Sequence, residues 1–432
     1  MTIALLGFLA FFVGAILIRI PIGYLLGFIG FVGLGVLRSW DAAIFSGSTE
    51  IFEATAYSLS VVPLFVLMGN LVSQGGLSRD LYHMAYTFMG HRRGGLVTST
   101  IAACAGFGAV CGSSTATVAT MARVAIPEML RRGYSPSLAA ASVGAGGTLG
   151  ILIPPSSLMV IYGILTETSI GALFAAGLLP GLLAAGAYML AGAYTVWRNP
   201  AAGPRGERSN WRERMHAVRG VWGVVLLFTV VIGGLYGGFF TATEAAGVGA
   251  AGGFLVALLR GTLTLRILTD ILIDTAVTTG MLFSILIGAM LFANFVTFSG
   301  MPSEMQTFVK NLEVPPVVVI LFIVAIYVLL GCLMESMSMI LLTIPVFFPI
   351  VIGLGYDPVW FGILVVCVVE IGLITPPVGM NVFVLRAMVP AIPINAIWRG
   401  LVPFIVADIV RICILVALPA FVMFLPKLLK LA

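Results

Sequence analysis

Gly144-Ala-Gly-Gly-Thr-Leu-Gly-Ile-Leu-Ile-Pro-Pro-Ser156 breaks a hydrophobic stretch with glycines and a proline pair. Val369-Glu-Ile-Gly-Leu-Ile-Thr-Pro-Pro-Val-Gly379 does the same at an offset of 222 residues. At that offset Pro127, Gly133-Tyr134, Pro136, Val143, Gly150 and Pro154-Pro155 recur as Pro349, Gly355-Tyr356, Pro358, Val365, Gly372 and Pro376-Pro377. At 224 residues, Asn70 and Gly76 recur as Asn294 and Gly300. A proline pair removes two backbone donors and disfavours helix in the residue before it, so carbonyls one turn back are released. Helix breakers at matching places in two halves of a hydrophobic chain are the mark of a secondary transporter.

Composition sets the surroundings. The chain is 60% hydrophobic and 9% charged, against about 45–50% and about 25% in soluble domains, so a bilayer must be its solvent. Net charge is +5 and the pI near 9.0, yet no basic stripe runs along one helix, which excludes a nucleic-acid surface. Cys104, Cys111, Cys332, Cys367 and Cys413 lie in apolar stretches without metal-ligand spacing and read as packing thiols. No basic region precedes the apolar N-terminus, which reads as a first span and not a cleaved signal. There is no G-x-x-x-x-G-K-[ST], H-E-x-x-H or G-x-S-x-G, and His83, His91 and His216 fall in expected cytoplasmic loops, so no enzyme is expected.

Spans are expected at 2–18, 22–37, 58–75, a broken 136–166 and 170–196, then at 219–236, 240–260, 278–298, a broken 358–389 and 398–425. Residues 42–56 and 264–275 carry too many charges to span and read as amphipathic helices in the interface. If 94–131 and 314–353 are hairpins that enter and leave on one side, each half crosses five times and the halves are inverted. The positive-inside rule tests this. With the Arg-rich linker 197–219 cytoplasmic, Arg19, Arg79, Arg92, Arg93, Arg131, Arg132, Arg260, Arg266, Arg386 and Arg399 fall inside, and only Arg38, Lys310, Lys427 and Lys430 outside. Both termini are then periplasmic. The fold class expected is an all-α integral membrane protein, an inverted repeat of two five-crossing halves, each with a re-entrant helical hairpin and a broken transmembrane helix.

Irregular backbone at membrane depth is tolerated where it is buried in protein or lines a cavity. Besides the two proline breaks, the hairpin tips Cys111-Gly-Ser-Ser-Thr-Ala-Thr117 and Gly331-Cys-Leu-Met-Glu-Ser-Met-Ser338 are such places. Hydroxyls, a carboxylate and free carbonyls suit a small hard cation, and half-helix N-termini suit an anion. Small polar positions also serve close helix packing, but four paired sites point to a function. Charges in the bilayer cost at least ~2.5–3.5 kcal/mol each. Glu335 and Glu370 are therefore candidates for an ion or proton. Asp408 and Arg411, at i, i+3, neutralise each other. Arg123 attracts an anionic substrate, pairs with Glu128 or sits near the interface. Glu244 begins a helix capped by Thr241 or Thr243.

Several segments resemble the large membrane (M) subunit of a tripartite ATP-independent periplasmic (TRAP) transporter, DctM/SiaM-like, in the ion-transporter superfamily. They are Arg19-Ile-Pro-Ile-Gly23, Val62-Pro-Leu-Phe-Val-Leu-Met-Gly-Asn70, His91-Arg-Arg-Gly-Gly95, Cys111-Gly-Ser-Ser-Thr-Ala116, Ile126-Pro-Glu-Met…Arg132-Gly-Tyr134 and Gly150-Ile-Leu-Ile-Pro-Pro-Ser156. Thr241-Ala-Thr-Glu-Ala-Ala246 is similar to T-P-T-E-A-A without the proline. The resemblance covers essentially the whole chain.

It implies an elevator, a transport domain with both hairpins and both broken helices sliding against a scaffold. Residues 1–75 would hold scaffold helices, the first interfacial arm and the first transport-domain helix, and 76–196 the rest of the first repeat. Residues 220–277 would be scaffold helices and the second arm, and 278–432 the second hairpin, broken helix and closing helix. It implies residence in the bacterial inner membrane, no cofactor but sodium as coupling ion, a small four-helix membrane (Q) subunit, and a periplasmic substrate-binding protein handing over an organic anion. One sodium site would use Ser113, Ser114, Thr115, Gly147, Thr148 and Gly150, and a second Glu335, Ser336, Met337, Gly372 and Thr375, many through backbone carbonyls. Substrate contacts would fall to Ser114, Thr115, Ser156, Ser336, Pro377 and Asn381.

A membrane potential supplies about 2.3 kcal/mol per net charge per 100 mV. Two sodium ions with a sialic acid-type monocarboxylate move charge, whereas two with a C4-dicarboxylate need a third cation. Two further readings stay open, a stand-alone sodium- or proton-coupled citrate or dicarboxylate carrier of the same superfamily, and a membrane-embedded enzyme or scaffold.

Overall fold

A computed structural model describes residues 2–15 and 20–431, and the described residues form helices with no strand. The first half runs α1 (Thr2–Val13), α2 (Ile22–Leu37), α3 (Trp40–Glu53), α4 (Val61–Gln74), α5 (Leu77–Met89), α6 (Gly95–Cys111), α7 (Ser114–Arg131), α8 (Pro136–Leu152), α9 (Ser157–Leu165) and α10 (Ile170–Arg198). The second runs α11 (Trp211–Gly220), α12 (Trp222–Tyr236), α13 (Ala242–Leu259), α14 (Leu265–Phe298), α15 (Met301–Asn311), α16 (Pro316–Gly331), α17 (Ser336–Gly353), α18 (Pro358–Ile374), α19 (Met380–Met388), α20 (Ile394–Ala417) and α21 (Pro419–Leu428). Arg19 and residues 16–18 of the expected first span lie outside the described residues.

The recurring residues are the ones the backbone needs. Gly76 and Gly300 both take φ +74° before α5 and α15, and Gly133 and Gly355 take +79° and +86° after α7 and α17. A side chain would be strained in that left-handed region. Pro136 and Pro358 open α8 and α18, where a missing N–H costs nothing, behind caps from Ser135 (accepting from Leu138 N) and Asp357 (accepting from Val359 N and Trp360 N). Both Pro–Pro bonds, 154–155 and 376–377, are cis.

The two broken helices form the centre. Every residue from Leu138 to Leu152 and from Val359 to Ile374 is buried. The halves also interlock. On α2, Gly23 and Gly30 lie against the backbone of α14 at Ile285 and Leu291, while Gly249 and Gly253 of α13 lie against Met68 and Leu71 of α4. Asn70 on α4 donates to Thr275 Oγ1 of α14 (2.9 Å). Its repeat mate Asn294 donates to Glu50 Oε1 (2.7 Å) and Ser46 Oγ (3.1 Å) of α3.

Three details differ from the sequence reading. Residues 264–275 are not a separate interfacial helix but the opening turns of the 34-residue α14. Thr264 caps it, and neither Gly nor Pro occurs between Leu265 and Thr279 to stop it. In the first half α3 and α4 do separate, at Ala54–Ser60, because Pro63 belongs to a first helical turn. The expected last span 398–425 divides at Leu418, which leaves the helical region (φ −127°, ψ 68°) ahead of Pro419. His83 and His216 lie within α5 and α11, and His91 alone is in a turn.

Among the described residues seven helices are long and apolar enough to cross a membrane, or eight if α11 and α12, bent by 50°, count as one span. The chain is an all-helical integral membrane protein. α6, α16 and α18 are apolar but shorter.

Candidate functional site

Two helical hairpins, α6–α7 and α16–α17, point their tips into one cavity of about 520 Å³. The first tip turns on Gly112 (φ +65°), and Ser113 then caps α7, its Oγ accepting from Ala116 N (3.4 Å). Glu335 occupies the equivalent place in the second tip. Its Oε2 accepts from Met337 N (2.9 Å) and Ser338 N (3.2 Å) and so caps α17. The tips are thus alike in architecture but differ in charge, a neutral hydroxyl at one helix start and a carboxylate at the other.

The broken helices resume beside these tips. Ser157 at the start of α9 lines the cavity and donates to Gly112 O (2.9 Å). Met380 at the start of α19 also lines it. Four helix N-termini therefore meet one cavity, each presenting the positive end of a helix dipole. That at α17 is offset by its own carboxylate cap.

Close glycine contacts make the approach possible. A Cβ on Gly150 of α8 would lie 2.6 Å from Thr117 Oγ1 and 2.7 Å from Ser113 O; one on its repeat mate Gly372 of α18 would lie 2.5 Å from the backbone of Gly331. Each hairpin so crosses its broken helix backbone to backbone.

Of the residues singled out in the sequence, Ser113, Ser114, Thr115, Glu335, Ser336 and Met337 line the cavity. Asn381 is fully buried one contact behind it. Ser114 Oγ donates to Asn381 Oδ1 (3.1 Å), and Asn381 Nδ2 donates to Ser114 Oγ (2.8 Å) and Gly144 O (3.3 Å). Gly147, Thr148, Gly150, Gly372 and Thr375 lie on the broken helices outside the lining. Gly147 packs on Val118, the Thr148 hydroxyl faces Tyr188 (3.0 Å), and Thr375 Oγ1 donates to Ile371 O (2.6 Å). Ser156 caps α9 and donates to Ile151 O (2.5 Å). Pro377 is exposed, away from the cavity.

The lining also includes Asn70, Ser157, Thr278, Phe65 and Met281, which the sequence reading did not single out. Asn70 had a signal in its recurrence as Asn294, and both Phe65 and Asn70 lie in the family-like segment 62–70.

Other charges sort cleanly. Arg123 is exposed, outside the cavity, and Glu128 pairs instead with Arg131 (2.8 Å) and Arg132 (2.7 Å). Asp408 and Arg411 pair as expected (2.9 Å), and Glu370 joins them (2.7 Å). Thr241 caps α13, with Glu244 reciprocating on Thr241 N (2.8 Å).

A crystal structure of the YdaH transporter of Alcanivorax borkumensis shares this fold, with TM-score 0.67 over 89% of this chain and 90% of that one, at 17% identity. The chain is 39% identical to the C4-dicarboxylate TRAP transporter large permease protein DctM of Pseudomonas aeruginosa, over 91% of this chain and 92% of that protein. To the sialic acid TRAP transporter large permease protein SiaM of Vibrio cholerae it is 30% identical, over 96% of each. Residues 8–421 match the family described as tripartite ATP-independent periplasmic transporter, DctM component. The chain belongs to that family, the large membrane permeases of TRAP transporters.

Proposed function

We propose that this chain carries a small carboxylate across the inner membrane together with sodium ions, by an elevator movement. The observation that carries the reading is the cavity between the two hairpin tips, with four helix N-termini on its wall and a carboxylate at only one. The neutral-capped starts of α7, α9 and α19 favour an anion. Glu335 and the carbonyls around both glycine crossings favour hard cations.

Sodium would bind where each tip meets its broken helix. The first site takes Ser113, Ser114 and Thr115 with backbone oxygens near Gly147, Thr148 and Gly150. The second takes Glu335, Ser336 and Met337 with those near Gly372 and Thr375. Ser114 would then face the substrate, with Asn381 orienting it from behind the cavity wall. The halves are inverted in the membrane, with linker 197–219 cytoplasmic and both termini periplasmic. The hairpins and broken helices, with α4 as the first transport-domain helix, slide against a scaffold of outer helices that includes α2 and α13. A small membrane subunit and a periplasmic binding protein complete the transporter. The greater similarity to a permease named for C4-dicarboxylates makes a C4-dicarboxylate the first substrate to test.

The test is uptake of radiolabelled C4-dicarboxylate and sialic acid into proteoliposomes under an inward sodium gradient. The chain is reconstituted with its small subunit, with and without purified binding protein. Sodium-dependent uptake that needs the binding protein supports the reading, and uptake without it identifies a stand-alone carrier. If Ser114→Ala and Glu335→Gln, made separately, both leave the sodium dependence unchanged, the ion assignment is wrong.

A further inference from the structure

A chain of buried polar groups runs through the middle of the molecule, apart from the cavity. Thr148 Oγ1 lies 3.0 Å from Tyr188 Oη, which donates to Asp408 Oδ2 at 2.7 Å. Asp408 Oδ1 is 2.9 Å from Arg411 Nη2, and the same nitrogen is 2.7 Å from Glu370 Oε2 and donates to Cys367 O at 3.3 Å. All five side chains are at most 1% exposed. The chain starts on α8, crosses α10 and α20, and ends on α18.

Its two ends are repeat mates. Thr148 and Glu370 are 222 residues apart, each two residues before the glycine that meets its hairpin, Gly150 and Gly372. Two residues turn a helix by about 200°. Each broken helix therefore touches its hairpin tip with one face and this chain with the opposite face. The connection is asymmetric, since a hydroxyl stands at one end and a carboxylate at the other.

Buried ions are a poor route to stability, because desolvation offsets their attraction. Here they do something a hydrophobic contact could not, which is to fix the rotation and height of two helices relative to each other. A shift of α8 at Thr148 moves Gly150 against the carbonyl of Ser113. A shift of α18 at Glu370 moves Gly372 against Gly331. We infer that Tyr188, Asp408, Arg411 and Glu370 are positioning residues that couple the two hairpin sites, so that filling one sets the affinity of the other. This rests on the sodium reading above.

The test is the sodium dependence of uptake in the reconstituted transporter, with wild type, Tyr188→Phe, Glu370→Gln and Tyr134→Phe. Tyr188→Phe cuts the chain without changing charge. Glu370→Gln leaves Asp408 and Arg411 as a neutral pair, so each variant keeps a balanced or unchanged interior. Tyr134→Phe is the control: its hydroxyl donates to Pro204 O (2.9 Å) and accepts from Leu96 N (3.2 Å), at the end of α6 opposite the hairpin tip and the end of α8 opposite Thr148.

Coupling between sites is typically about 5–150-fold in affinity. Tyr188→Phe and Glu370→Gln are expected to bring the sodium Hill coefficient toward 1. They should also raise the sodium concentration for half-maximal uptake by about fivefold or more, with the rate at saturating sodium largely kept. Tyr134→Phe should leave the Hill coefficient as in wild type. If Tyr188→Phe and Glu370→Gln retain the wild-type sodium curve, or shift it no more than Tyr134→Phe, the coupling role is overturned. A wild type indifferent to sodium overturns the sodium reading itself, and the coupling role with it.

Discussion

Ser114 and Asn381, 267 residues apart in sequence, exchange hydrogen bonds of 3.1 and 2.8 Å and tie the tip of the first hairpin to the half-helix after the second break. Asn381 also reaches Gly144 O of the first broken helix. One side chain so joins pieces of both halves behind the cavity wall. Asn381→Ala leaves two buried acceptors short of a donor, at about 1–3 kcal/mol. Uptake at low substrate is expected to fall by about tenfold, with the protein still inserted. An unchanged KM for the substrate would show that this tie does not shape the site.

Gly150→Ala and Gly372→Ala put a methyl group into backbone contacts of 2.5–2.7 Å, which neither partner can yield. Overpacking of this kind costs about 1–3 kcal/mol, and here it pushes a hairpin tip off its broken helix. Both variants should lose most transport while reaching the membrane in normal amounts. Gly186→Ala, whose Cβ meets nothing within 4 Å, should behave as wild type.

Glu50 gives a pH dependence that does not involve the cavity. Burial pushes its carboxyl above the ordinary carboxylate range, with Glu53 adding to the rise and the bond from Asn294 opposing it. A carboxyl held up in the folded state binds its proton more tightly there than in the unfolded chain. Its contribution to stability is full below the ordinary carboxylate range and is lost as pH rises through the folded-state value. Glu50→Gln still accepts from Asn294 but cannot ionise. Thermal unfolding in detergent should show a smaller loss of stability from acid to neutral pH in this variant than in wild type. Equal slopes would exclude the group.

Thr241→Ala removes the reciprocal cap at the start of α13, where Thr241 Oγ1 accepts from Glu244 N (3.3 Å). Loss of an N-cap hydroxyl costs about 1 kcal/mol. The unfolding midpoint should drop by a few degrees while the sodium dependence of uptake stays as in wild type. A changed sodium dependence would place this helix start nearer the transport cycle than its position implies.

Much of the architecture was legible because breakers act locally. Gly76, Gly133, Gly300 and Gly355 take a positive φ that side-chain-bearing residues rarely adopt, and Pro154-Pro155 and Pro376-Pro377 disfavour helix, so their recurrence in the sequence marked matching positions. The hairpin tips were readable for the same reason. Harder to see were α14 running on through 264–275, where charge suggested a boundary but no breaker enforced one, and the division of the last span at Pro419.

By itself the sequence determined what local chemistry and composition impose: a bilayer as solvent, the two breaks and two polar tips, the family, and the pairing of Asp408 with Arg411 three residues on. Only the tertiary structure decided what distance in the chain conceals. It made Glu335 a helix cap on the cavity wall, turned Thr148 and Ser156 away into their own hydrogen bonds, and left Pro377 exposed. It also brought Glu370 to Arg411 and Tyr188 to Asp408. Those contacts join helices tens to hundreds of residues apart, and they depend on the rotation of each helix about its axis. That rotation is set by packing against neighbours, which no local pattern encodes.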